Sequence, residues 1–464
     1  MWNPKTINTD KTLYIAIAEA IERDVREGIL QPGQKMPTHR ELADIIGVNV
    51  TTITRAYKEA ERKGIITGTV GRGTYITADL GLDSSIMRVE EKYPQTKAVR
   101  MIEMGLVLTL YQCEPDLSPV VAKLSRDKQM NRFFRYTDPL GLPEHRQTGA
   151  DWVKRFGLAV NGDQIVICAG AQHALTCCLQ SLFEPGDRIA VDCLTYPGIK
   201  AVAKASGVRL EPIAMDREGM IPESLEAACG RQVIKGVYLM PNMQNPTATG
   251  MSARRKAELA ALIERHHLIL IEDDIYSFSN PGDRQALAAL CPQNSIYIAG
   301  ISKTFYAGLR VAFVVAPKPF HLKIGQAVVN TIWMAPPLNV AIAAECIRDG
   351  AADAIIAAKL TEIAKRVQIA RDTISEYVFT ALPTSFFIWL KLPECWTGKE
   401  FELTCRENGV NVFCAEKFAV GGEAAPAAVR ISLSGAATIQ ELQEGFAILK
   451  RILAKEDLKL ETIL

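Results

Sequence analysis

A serine, a lysine and an arginine follow an apolar run near residue 300, and their spacing suits the chemistry of an aldehyde cofactor that carries a phosphate. Ser302 and Lys303 come just after the predicted strand that ends at Ala299, and Arg310 stands seven residues beyond the lysine. A lysine amine can form a Schiff base with an aldehyde, and a guanidinium can bind a phosphate dianion with two parallel hydrogen bonds. A serine–lysine pair alone is far more often explained by an ordinary surface lysine.

Polar and aromatic side chains follow other apolar runs. Asp273 can keep a pyridine nitrogen protonated, and Tyr276 can donate a hydrogen bond to a phenolate oxygen. The proline after Asn245 favours a turn that directs the asparagine amide inward. Tyr196 offers a flat ring that can stack on a flat cofactor. Each motif is ambiguous alone, because acidic strand ends also occur in metal sites and turns and core tyrosines are common.

A short stretch of small residues predicts a phosphate site at the start of a helix. Gly170, Ala171 and Gln172 follow the apolar run at 165–167 and precede a helical stretch. Backbone N–H groups at a helix N-terminus are free to bind an anion, and small residues let the anion approach them. An ordinary turn is the alternative interpretation.

These residues require a framework that brings them together, and the pattern of apolar runs predicts one. Continuous apolar strands separated by helices, such as 253–265, indicate an α/β fold with a mainly parallel sheet covered on both faces. Ligands of such sheets bind at the carboxyl ends of the strands, where the residues above lie. The predicted strands are 165–167, 189–191, 237–240, 268–271, 296–298 and 311–315.

Taken together and in this order, the motifs resemble the fold type I enzymes that depend on pyridoxal 5'-phosphate, the class I/II aminotransferases. The resemblance covers about residues 98–464 and includes a smaller C-terminal α/β subdomain at about 340–464. It implies that Lys303 is the catalytic Schiff-base lysine and Asp273 the pyridinium partner. It also implies that Tyr276 and Asn245 bind the ring oxygen, that Tyr196 stacks on the ring, and that Gly170, Ala171, Gln172, Ser302 and Arg310 hold the phosphate.

The same resemblance implies two further roles. Tyr136 resembles the tyrosine that reaches the phosphate of the neighbouring subunit, and Arg430 resembles the arginine that binds the α-carboxylate of an amino acid substrate or effector. One departure from the family pattern is Gly300, because many relatives carry serine or threonine three residues before the lysine. This glycine removes one phosphate donor, whereas the lysine, the aspartate and the carboxylate arginine are all present.

The first eighty residues have a different pattern, which predicts three helices and a hairpin. Leu13, Ile17, Ile21 and Val25 recur every four residues and define the inner face of a first helix that ends near Gly28. Thr38, with Glu41 three residues later, predicts a capping box for a second helix at 40–46. The buried side of that helix is predicted to be Leu42, Ile45 and Ile46.

A third helix follows Asn49, with a predicted inner stripe of Ile53, Ala56, Tyr57 and Ala60. Its outer face then carries Thr51, Thr52, Thr54, Arg55 and Lys58. Two short strands at 65–67 and 74–76 flank a glycine-rich tip that holds Arg72. Three helices followed by a hairpin make a winged helix-turn-helix, whose third helix fits the major groove of DNA.

The spaced motifs Pro37-Thr-His-Arg-Glu-Leu-Ala, Thr52-Ile-Thr-Arg-Ala-Tyr, Gly64-Ile-Ile and Gly71-Arg-Gly-Thr resemble the GntR family of bacterial regulators. The resemblance implies that Arg40, Thr51, Arg55 and Arg72 contact DNA. Thr38 and Thr52 are further candidates, because threonine hydroxyls can donate hydrogen bonds to phosphates. Val50 stands where the family often has arginine, which leaves the bases that are read undefined.

Composition limits the remaining possibilities. A net charge of +1 excludes a uniformly basic nucleic-acid-binding chain, and no apolar stretch is long enough to span a bilayer. The N-terminus lacks the apolar core of a signal peptide. The 11 cysteines include no C-x-x-C pair and suit a reducing compartment, so we expect a cytoplasmic location. We predict no metal site, since the only adjacent histidines, His266 and His267, fit the end of a helix.

A GntR-like winged helix joined to an aminotransferase-like domain resembles the MocR subfamily of transcriptional regulators. The predicted domains are a winged helix-turn-helix at 1–78, a linker at 79–97 and a pyridoxal phosphate domain at 98–464. The resemblance implies a homodimer that binds double-stranded operator DNA, the cofactor and an amino acid or amine effector. A working aminotransferase with a DNA-binding appendage is the alternative, and a metabolic transaminase with a merely structural N-terminal segment is a third. The sequence separates the first two poorly, because effector binding and transamination use the same residues.

Overall fold

The computed structural model describes residues 2–4, 12–26, 29–30, 34–62, 65–69, 73–76 and 101–454. The chain forms two units, residues 1–93 with 415–426 and residues 94–414 with 427–464. The domain boundaries predicted at 78 and 97, and the linker between them, lie outside the described residues.

The first unit contains the three helices and the hairpin that the sequence predicts. The strands β1 and β2 pair antiparallel, with Ile66 opposite Ile76. The elements are α1 (Leu13–Arg26), α2 (His39–Ile46), α3 (Val50–Arg62), β1 (Ile66–Thr69) and β2 (Gly73–Ile76). The tip of the hairpin, with Arg72, lies outside the described residues.

Apolar residues of all three helices form one core, but the predicted inner face of α1 is wrong at its first position. Leu13 is 41% exposed, and Tyr14 packs against the core in its place. The reason is geometric: a spacing of four residues advances about 40° around a helix of 3.6 residues per turn, so a strict series drifts off the buried face. Ile17 and Ile21, in the middle of the series, are completely buried.

The other two helices agree more closely with the pattern. The inner stripe of α3 is confirmed, because Ile53, Ala56, Tyr57 and Ala60 are all buried. On α2, Leu42 is buried as predicted, but Ala43 is the second buried residue, while Ile45 and Ile46 are only partly buried. The small Ala43 side chain lets α2 approach the core closely on that side.

Hydrogen bonds at the helix ends fix the turn between α2 and α3. The predicted capping box is present: Thr38 Oγ1 accepts from the Glu41 N–H at 3.3 Å, and the Glu41 carboxylate accepts from the Thr38 N–H at 2.7 Å. Gly47, with φ of 73°, ends α2 in the left-handed region, where a glycine has no Cβ to clash. The Tyr57 hydroxyl donates to the Pro37 carbonyl at 2.8 Å and ties α3 to the start of α2.

The second unit is built on a mainly parallel sheet of seven strands. The six predicted strands are all present, and β12 runs antiparallel to both of its neighbours. The order across the sheet is β4-β12-β11-β10-β9-β5-β6. With the short β3 (Ile102–Glu103), the strands are β4 (Ile165–Cys168), β5 (Arg188–Asp192), β6 (Arg209–Ile213), β7 (Met215–Asp216), β8 (Gly219–Met220), β9 (Gly236–Leu239), β10 (Ile269–Asp274), β11 (Ser295–Gly300) and β12 (Ala312–Val315). The sequence pattern missed β6, an edge strand that is half exposed and contains Pro212.

Helices cover this sheet, and a smaller sheet follows it in the chain. The helices are α4 (Ser118–Ser125), α5 (Pro143–Val153), α6 (Ala171–Leu182), α7 (Pro197–Ala205), α8 (Pro222–Arg231), α9 (Ala253–Arg265), α10 (Lys318–Ile332), α11 (Pro337–Arg348), α12 (Ala351–Thr373), α13 (Gly398–Glu407) and α14 (Ile439–Ala454). The smaller sheet has the order β13-β14-β17-β16, and a separate strand pairs parallel with β3. These strands are β13 (Phe379–Thr380), β14 (Phe387–Lys391), β15 (Val410–Asn411), β16 (Phe413–Cys414) and β17 (Ala428–Ser432). In the part of the chain that is described, no helix is long and apolar enough to cross a membrane.

The capping box gives a prediction for the stability of the first unit. Thr38→Ala removes the side-chain acceptor at the start of α2 and should lower the free energy of unfolding of this unit by about 1 kcal/mol. Hydrogen exchange of the α2 amides in the full-length protein measures the change. Thr54→Ala is the matched control, since the Thr54 hydroxyl donates to the Val50 carbonyl of its own helix and does not cap α2. Equal protection of α2 in both variants would show that the capping box contributes no stability.

Candidate functional site

Three consecutive acidic residues end β10. Because side chains alternate along a strand, the three side chains do not all point to the same face of the sheet. Glu272 accepts hydrogen bonds from the Leu287 and Ala288 N–H groups, and Asp274 accepts from Ser277. Asp273 points to the opposite face of the sheet, because successive side chains of a strand alternate. Asp273 is therefore the member of the group that is not used to hold a neighbouring loop.

Asp273 is completely enclosed at the carboxyl end of the sheet. Its Oδ2 atom accepts a hydrogen bond of 2.8 Å from the hydroxyl of Tyr238 on β9. Its Oδ1 atom has no hydrogen-bond partner among the described residues. Burial raises the pKa of Asp273 to about 7, against the opposing effect of the Tyr238 hydrogen bond. The arrangement presents a carboxylate oxygen that can still accept one hydrogen bond from a ligand.

Lys303 lies in the loop after β11, the neighbour of β10 in the sheet. Its Nζ atom donates to the carbonyl of Val107. Burial first, and then the positive charges of Arg430, Arg310 and Lys359, lower the pKa of Lys303 to about 8. A lysine with a lowered pKa has a larger neutral fraction near neutral pH, and the neutral amine is the nucleophile.

Arg310, Ser302 and Gly170 meet at the start of α6. The Nη1 atom of Arg310 donates to Ser302 Oγ at 2.9 Å. A Cβ atom on Gly170 would lie 2.5 Å from Arg310 Nη2, so only glycine lets the guanidinium approach this helix end. Gly170 also has φ of 86°, a conformation that favours glycine.

The turn before Arg310 is strained. Tyr306 and Arg310 have φ of 40° and 52°, in the left-handed region that non-glycine residues rarely adopt. Such strain persists only where the surroundings impose it, and it is common at ligand sites. The turn places the Arg310 guanidinium at the N-terminus of α6.

Gln172 and Tyr196 complete this side of the site. The Gln172 amide donates to the Gly198 carbonyl at 3.1 Å and accepts from the Tyr196 hydroxyl at 3.2 Å. Burial, with the nearby Asp273 charge, raises the pKa of Tyr196 to about 12. The phenol therefore remains protonated over the physiological range, and its ring lies within the electrostatic reach of Asp273.

Arg430 comes from β17 of the smaller sheet and is buried against the large one. Its Nη1 atom donates to Asn245 Oδ1, and its Nη2 atom donates to the Gly105 carbonyl, both at 2.7 Å. The guanidinium carbon lies 5.4 Å from the Phe387 ring centre and 5.5 Å from that of Phe413. Burial lowers the pKa of Arg430 to about 10. Arg430 therefore remains cationic near pH 7, in surroundings of low polarity that strengthen its attraction for an anion.

Tyr276 is buried between the sheet and the aromatic residues of the smaller sheet. Its ring is perpendicular to that of Phe387, with centres 5.5 Å apart. Burial raises the pKa of Tyr276 well above its ordinary value, and the Arg430 charge opposes that shift. The nearby charges of Tyr196 and Asp273 add to the increase in the pKa of Tyr276.

The structure explains why position 300 is glycine, and it shows that Tyr136 lies apart from the other predicted cofactor residues. A Cβ atom on Gly300 would lie 2.6 Å from Ile275 and 3.1 Å from Ala171, so this backbone leaves no room for the serine or threonine of many relatives. Tyr136 lies on the surface, 83% exposed, with its ring edge toward Trp333 at 5.8 Å between ring centres. It is not part of the cluster formed by the other predicted cofactor residues of this chain.

Sequence reasoning missed the segment that crosses the site before α4. The carbonyls of Gly105 and Val107 accept from Arg430 and Lys303, but a backbone oxygen leaves no signal in the residue type. Tyr238, which holds Asp273, lies inside a strand that the sequence predicts only as an apolar run.

Lys359, on α12, was also missed. It is completely buried, and its ammonium donates to Glu114 at 2.7 Å and to the Lys303 carbonyl at 3.3 Å. A detectable signal was present, because Lys359 falls at helical spacing between the buried apolar residues Ile355 and Ile363. A charged residue in such a stripe needs a buried partner.

The predicted DNA-binding residues of the first unit lie around the start of α3 and the α2 N-terminus. Arg40, Thr51 and Arg55 are exposed, and Thr52 is partly exposed. Thr38 is exposed but its hydroxyl caps α2, and the Thr51 hydroxyl donates to Asn49 at 3.0 Å. Arg72 lies outside the described residues.

Comparison with known proteins identifies both parts of the chain. Residues 13–76 match the gntR family of bacterial regulatory proteins, and residues 104–449 match aminotransferase class I and II. The crystal structure of an archaeal alanine:glyoxylate aminotransferase aligns with a TM-score of 0.74 and 23% identity, covering 86% of this chain and 99% of that chain. At this identity the structural likeness establishes the fold.

Two relatives that are named as transcriptional regulators or repressors align with much of this chain. YdeF, an uncharacterized HTH-type transcriptional regulator of Bacillus subtilis, is 34% identical over 452 residues, which cover 97% of this chain and 96% of YdeF. The vitamin B6 salvage pathway transcriptional repressor PtsJ of Salmonella typhimurium is 30% identical over 309 residues, which cover 66% of this chain and 68% of PtsJ. With a GntR helix-turn-helix followed by an aminotransferase class I and II domain, the chain belongs to the MocR subfamily of GntR transcriptional regulators.

Proposed function

We propose that the second unit of this regulator binds pyridoxal 5'-phosphate and an amino compound, and that this binding changes the affinity of the first unit for operator DNA. The observation that carries the proposal is the pairing of a buried, incompletely bonded Asp273 with a lysine of lowered pKa at the carboxyl edge of one sheet. A regulator that only bound DNA would have no need to bury a carboxyl group with an oxygen that lacks a partner among the described residues, since such burial costs free energy.

The residues present fit the ring of the cofactor. Asp273 Oδ1 is a buried acceptor without a partner among the described residues. A protonated pyridine nitrogen is a hydrogen-bond donor whose positive charge is opposite to that of a carboxylate. Tyr238 holds the other carboxylate oxygen and thereby fixes the direction of Oδ1. Tyr196, whose hydroxyl donates to Gln172, supplies an aromatic ring for the same ligand, and Asn245, which accepts from Arg430, supplies an amide.

The residues also fit a phosphate. Arg310 and Ser302 lie beside Gly170, where the backbone N–H groups of the first turn of α6 are available to an anion. Gly300 contributes no hydroxyl, so the arginine and the helix N-terminus supply most of the attraction. A guanidinium with two N–H groups toward an anion gives the stronger, charge-assisted kind of hydrogen bond.

When bound, pyridoxal 5'-phosphate supplies an aldehyde carbon and an electron-withdrawing ring. Lys303 supplies the neutral amine for the aldehyde, because burial and nearby positive charges favour loss of its proton. Asp273 holds a proton at the pyridine nitrogen. Arg430 orients the carboxylate of an amino acid, and the Asn245 and Gly105 oxygens hold the guanidinium in place.

The first unit supplies the DNA contact of the proposal. The exposed side of α3 begins with Thr51 and carries Arg55 one turn later, which suits a helix lying in the major groove with its N-terminal half toward the bases. Arg40, near the start of α2, is placed to contact the backbone. We further propose a cytoplasmic homodimer, in which the exposed Tyr136 reaches the phosphate of the second subunit.

A catalytically active aminotransferase with an attached DNA-binding unit is the second candidate. The observation that favours it is that Arg430 donates to Asn245 and lies close enough to Lys303 for its charge to lower the pKa of the lysine, as a shared amino acid site would require. Steady-state assays with a panel of amino donors and keto acids separate the two functions. Turnover without any effect of ligands on operator affinity favours the enzyme.

The lowered pKa of Lys303 predicts its reactivity in protein freed of cofactor. Because the folded-state pKa lies near 8, the neutral amine increases as pH rises through 8, and labelling with an amine-selective reagent should reach half of its maximum there. Peptide mass spectrometry measures the labelled fraction. Arg430→Met removes one positive neighbour and should move this midpoint to higher pH, whereas Arg348→Met, on the surface of α11, should not. A rate that continues to rise between pH 9 and 10 would contradict the assignment.

Coupling between the two units is tested by operator affinity with and without ligands. Addition of pyridoxal 5'-phosphate, alone or with candidate amino acids, should change the affinity by a factor of about 5–150, and DNA should change ligand affinity by the same factor. Lys303→Ala should abolish the response to the cofactor. Arg430→Ala should keep cofactor and DNA binding but lose the response to an amino carboxylate. Equal affinity under all ligand conditions would show that the units are merely tethered.

The DNA contact has its own test. Arg55→Ala should cost about 1–3 kcal/mol of binding free energy on the preferred operator and relax base choice, if the guanidinium forms a bidentate contact with a base. Arg126→Ala removes the same charge from the surface of the second unit and serves as the control. Binding is measured by fluorescence anisotropy at fixed salt. Unchanged operator affinity in an Arg40/Arg55 double mutant would exclude this face as the reading surface.

A further inference from the structure

Two cysteines and a histidine lie together beside the loop that we assign to the phosphate. Cys168 is the last residue of β4, and His173 and Cys177 occupy successive turns on one face of α6. Both sulfur atoms and a ring nitrogen of His173 lie within 4.8 Å of one another. Both cysteines are completely buried, while His173 is partly exposed and the adjacent Thr331 is exposed.

The hydrogen bonds of His173 define which of its nitrogens carries a proton. Its Nδ1 atom accepts from the Ala169 N–H at 3.1 Å. Its Nε2 atom lies 2.7 Å from Thr331 Oγ1, whose own proton is donated to the Ala327 carbonyl at 2.8 Å. The proton of a neutral imidazole is therefore on Nε2, which also lies 3.3 Å from Cys177 Sγ.

This tautomer disfavours a metal site at the same three residues. A histidine that binds a metal through one nitrogen normally donates an N–H group from the other. Here the other nitrogen accepts the Ala169 N–H, so metal binding at Nε2 would require an imidazolate or the loss of that hydrogen bond. The cluster is better suited to thiol chemistry.

The environment differs for the two sulfurs. The neighbouring Cys168 thiol, together with His173 Nε2 at 3.3 Å, holds the pKa of Cys177 well below its usual range, although burial opposes the shift. The interaction with Cys177 and burial raise the pKa of Cys168 well above its usual range. Cys177 is thus the better nucleophile, and Cys168 remains a thiol beside it.

We propose that Cys168 and Cys177 are a peroxide-sensitive dithiol that closes into a disulfide around the phosphate loop. The Cys177 thiolate attacks the terminal oxygen of a hydroperoxide, the O–O bond breaks, and the alcohol or water leaves with a proton from solvent. Cys177 is now a sulfenic acid. The Cys168 sulfur then attacks the Cys177 sulfur, the S–O bond breaks, and hydroxide leaves as water with the Cys168 proton.

The disulfide would reshape the loop between the two cysteines, which contains Ala169, Gly170, Ala171 and Gln172. A disulfide requires the two sulfurs to approach to about 2 Å. The end of β4 is fixed in the sheet, so the movement falls on α6, which carries Cys177 in its second turn and the N–H groups assigned to the phosphate in its first. The consequence, weaker phosphate binding after oxidation, rests on the proposed cofactor site, whereas disulfide formation does not.

Oxidation of the reduced full-length protein tests the dithiol itself. Treatment with hydrogen peroxide, alkylation and peptide mapping should show a Cys168–Cys177 disulfide, and Cys168→Ala should instead trap a dimedone-reactive sulfenic acid on Cys177. Cys177→Ala should slow thiol oxidation by about tenfold or more. Cys178→Ala is the matched control, because Cys178 is equally buried and burial raises its pKa. Equal rates in both variants, a disulfide elsewhere, or one equivalent of zinc bound only by wild type would overturn the proposal.

Titration with pyridoxal 5'-phosphate and with inorganic phosphate tests the consequence. The oxidised protein should bind both about fivefold or more weakly than the reduced protein, and Cys178→Ala should behave as wild type does. Equal affinity of both redox states would disprove the effect on the phosphate loop. If the reduced protein binds neither ligand, the proposed cofactor site is wrong. Peptide mapping of the disulfide still tests whether Cys168 and Cys177 form a peroxide-sensitive dithiol.

Discussion

Asp273 and Arg430 are buried ionisable groups and Lys303 is partly buried, and each loss of contact with water costs free energy unless a partner compensates it. Asp273 is held by Tyr238, Lys303 by the Val107 carbonyl, and Arg430 by Asn245 and the Gly105 carbonyl. These partners come from the large sheet and from the segment before α4. The position of that segment, and of the smaller sheet that carries Arg430, therefore depends on satisfying a few buried charges.

The locations of Asp273 and Lys303 in the fold could be predicted from sequence because these residues stand at or just after the ends of strands. A strand end fixes both the location and the direction of a side chain, so the order of residues alone places Asp273 and Lys303 at one edge of the sheet. The framework was predictable for the same reason, since buried parallel strands are continuous apolar runs. The helices of the winged helix could be predicted from helical periodicity. The prediction that Leu13 is buried was wrong, because a series spaced by four residues drifts off the buried face of a helix.

The features that could not be predicted depend on long-range packing. Backbone oxygens of Gly105 and Val107 have no residue signature, and the edge strand β6 lacks an apolar run. The proximity of Cys168 and Cys177 arises from the way α6 turns back after Gly170, whose φ of 86° is a property of the folded chain. The roles of individual residues toward cofactor and DNA remain predictions, since ligand contacts lie outside what the fold alone defines.

The distances along the chain between contacting residues have a consequence for biosynthesis. The hydrogen bonds from Lys303 to Val107 and from Arg430 to Gly105 join residues 196 and 325 positions apart. Contacts at such separation form only after the later residue has left the ribosome, whereas the helices of the first unit contact one another within 13–76. The winged helix can therefore fold while translation continues, and the cleft is completed only when β17 is added. During that interval a nascent chain has a folded winged helix, while the contacts of Arg430 with Asn245 and Gly105 have not yet formed.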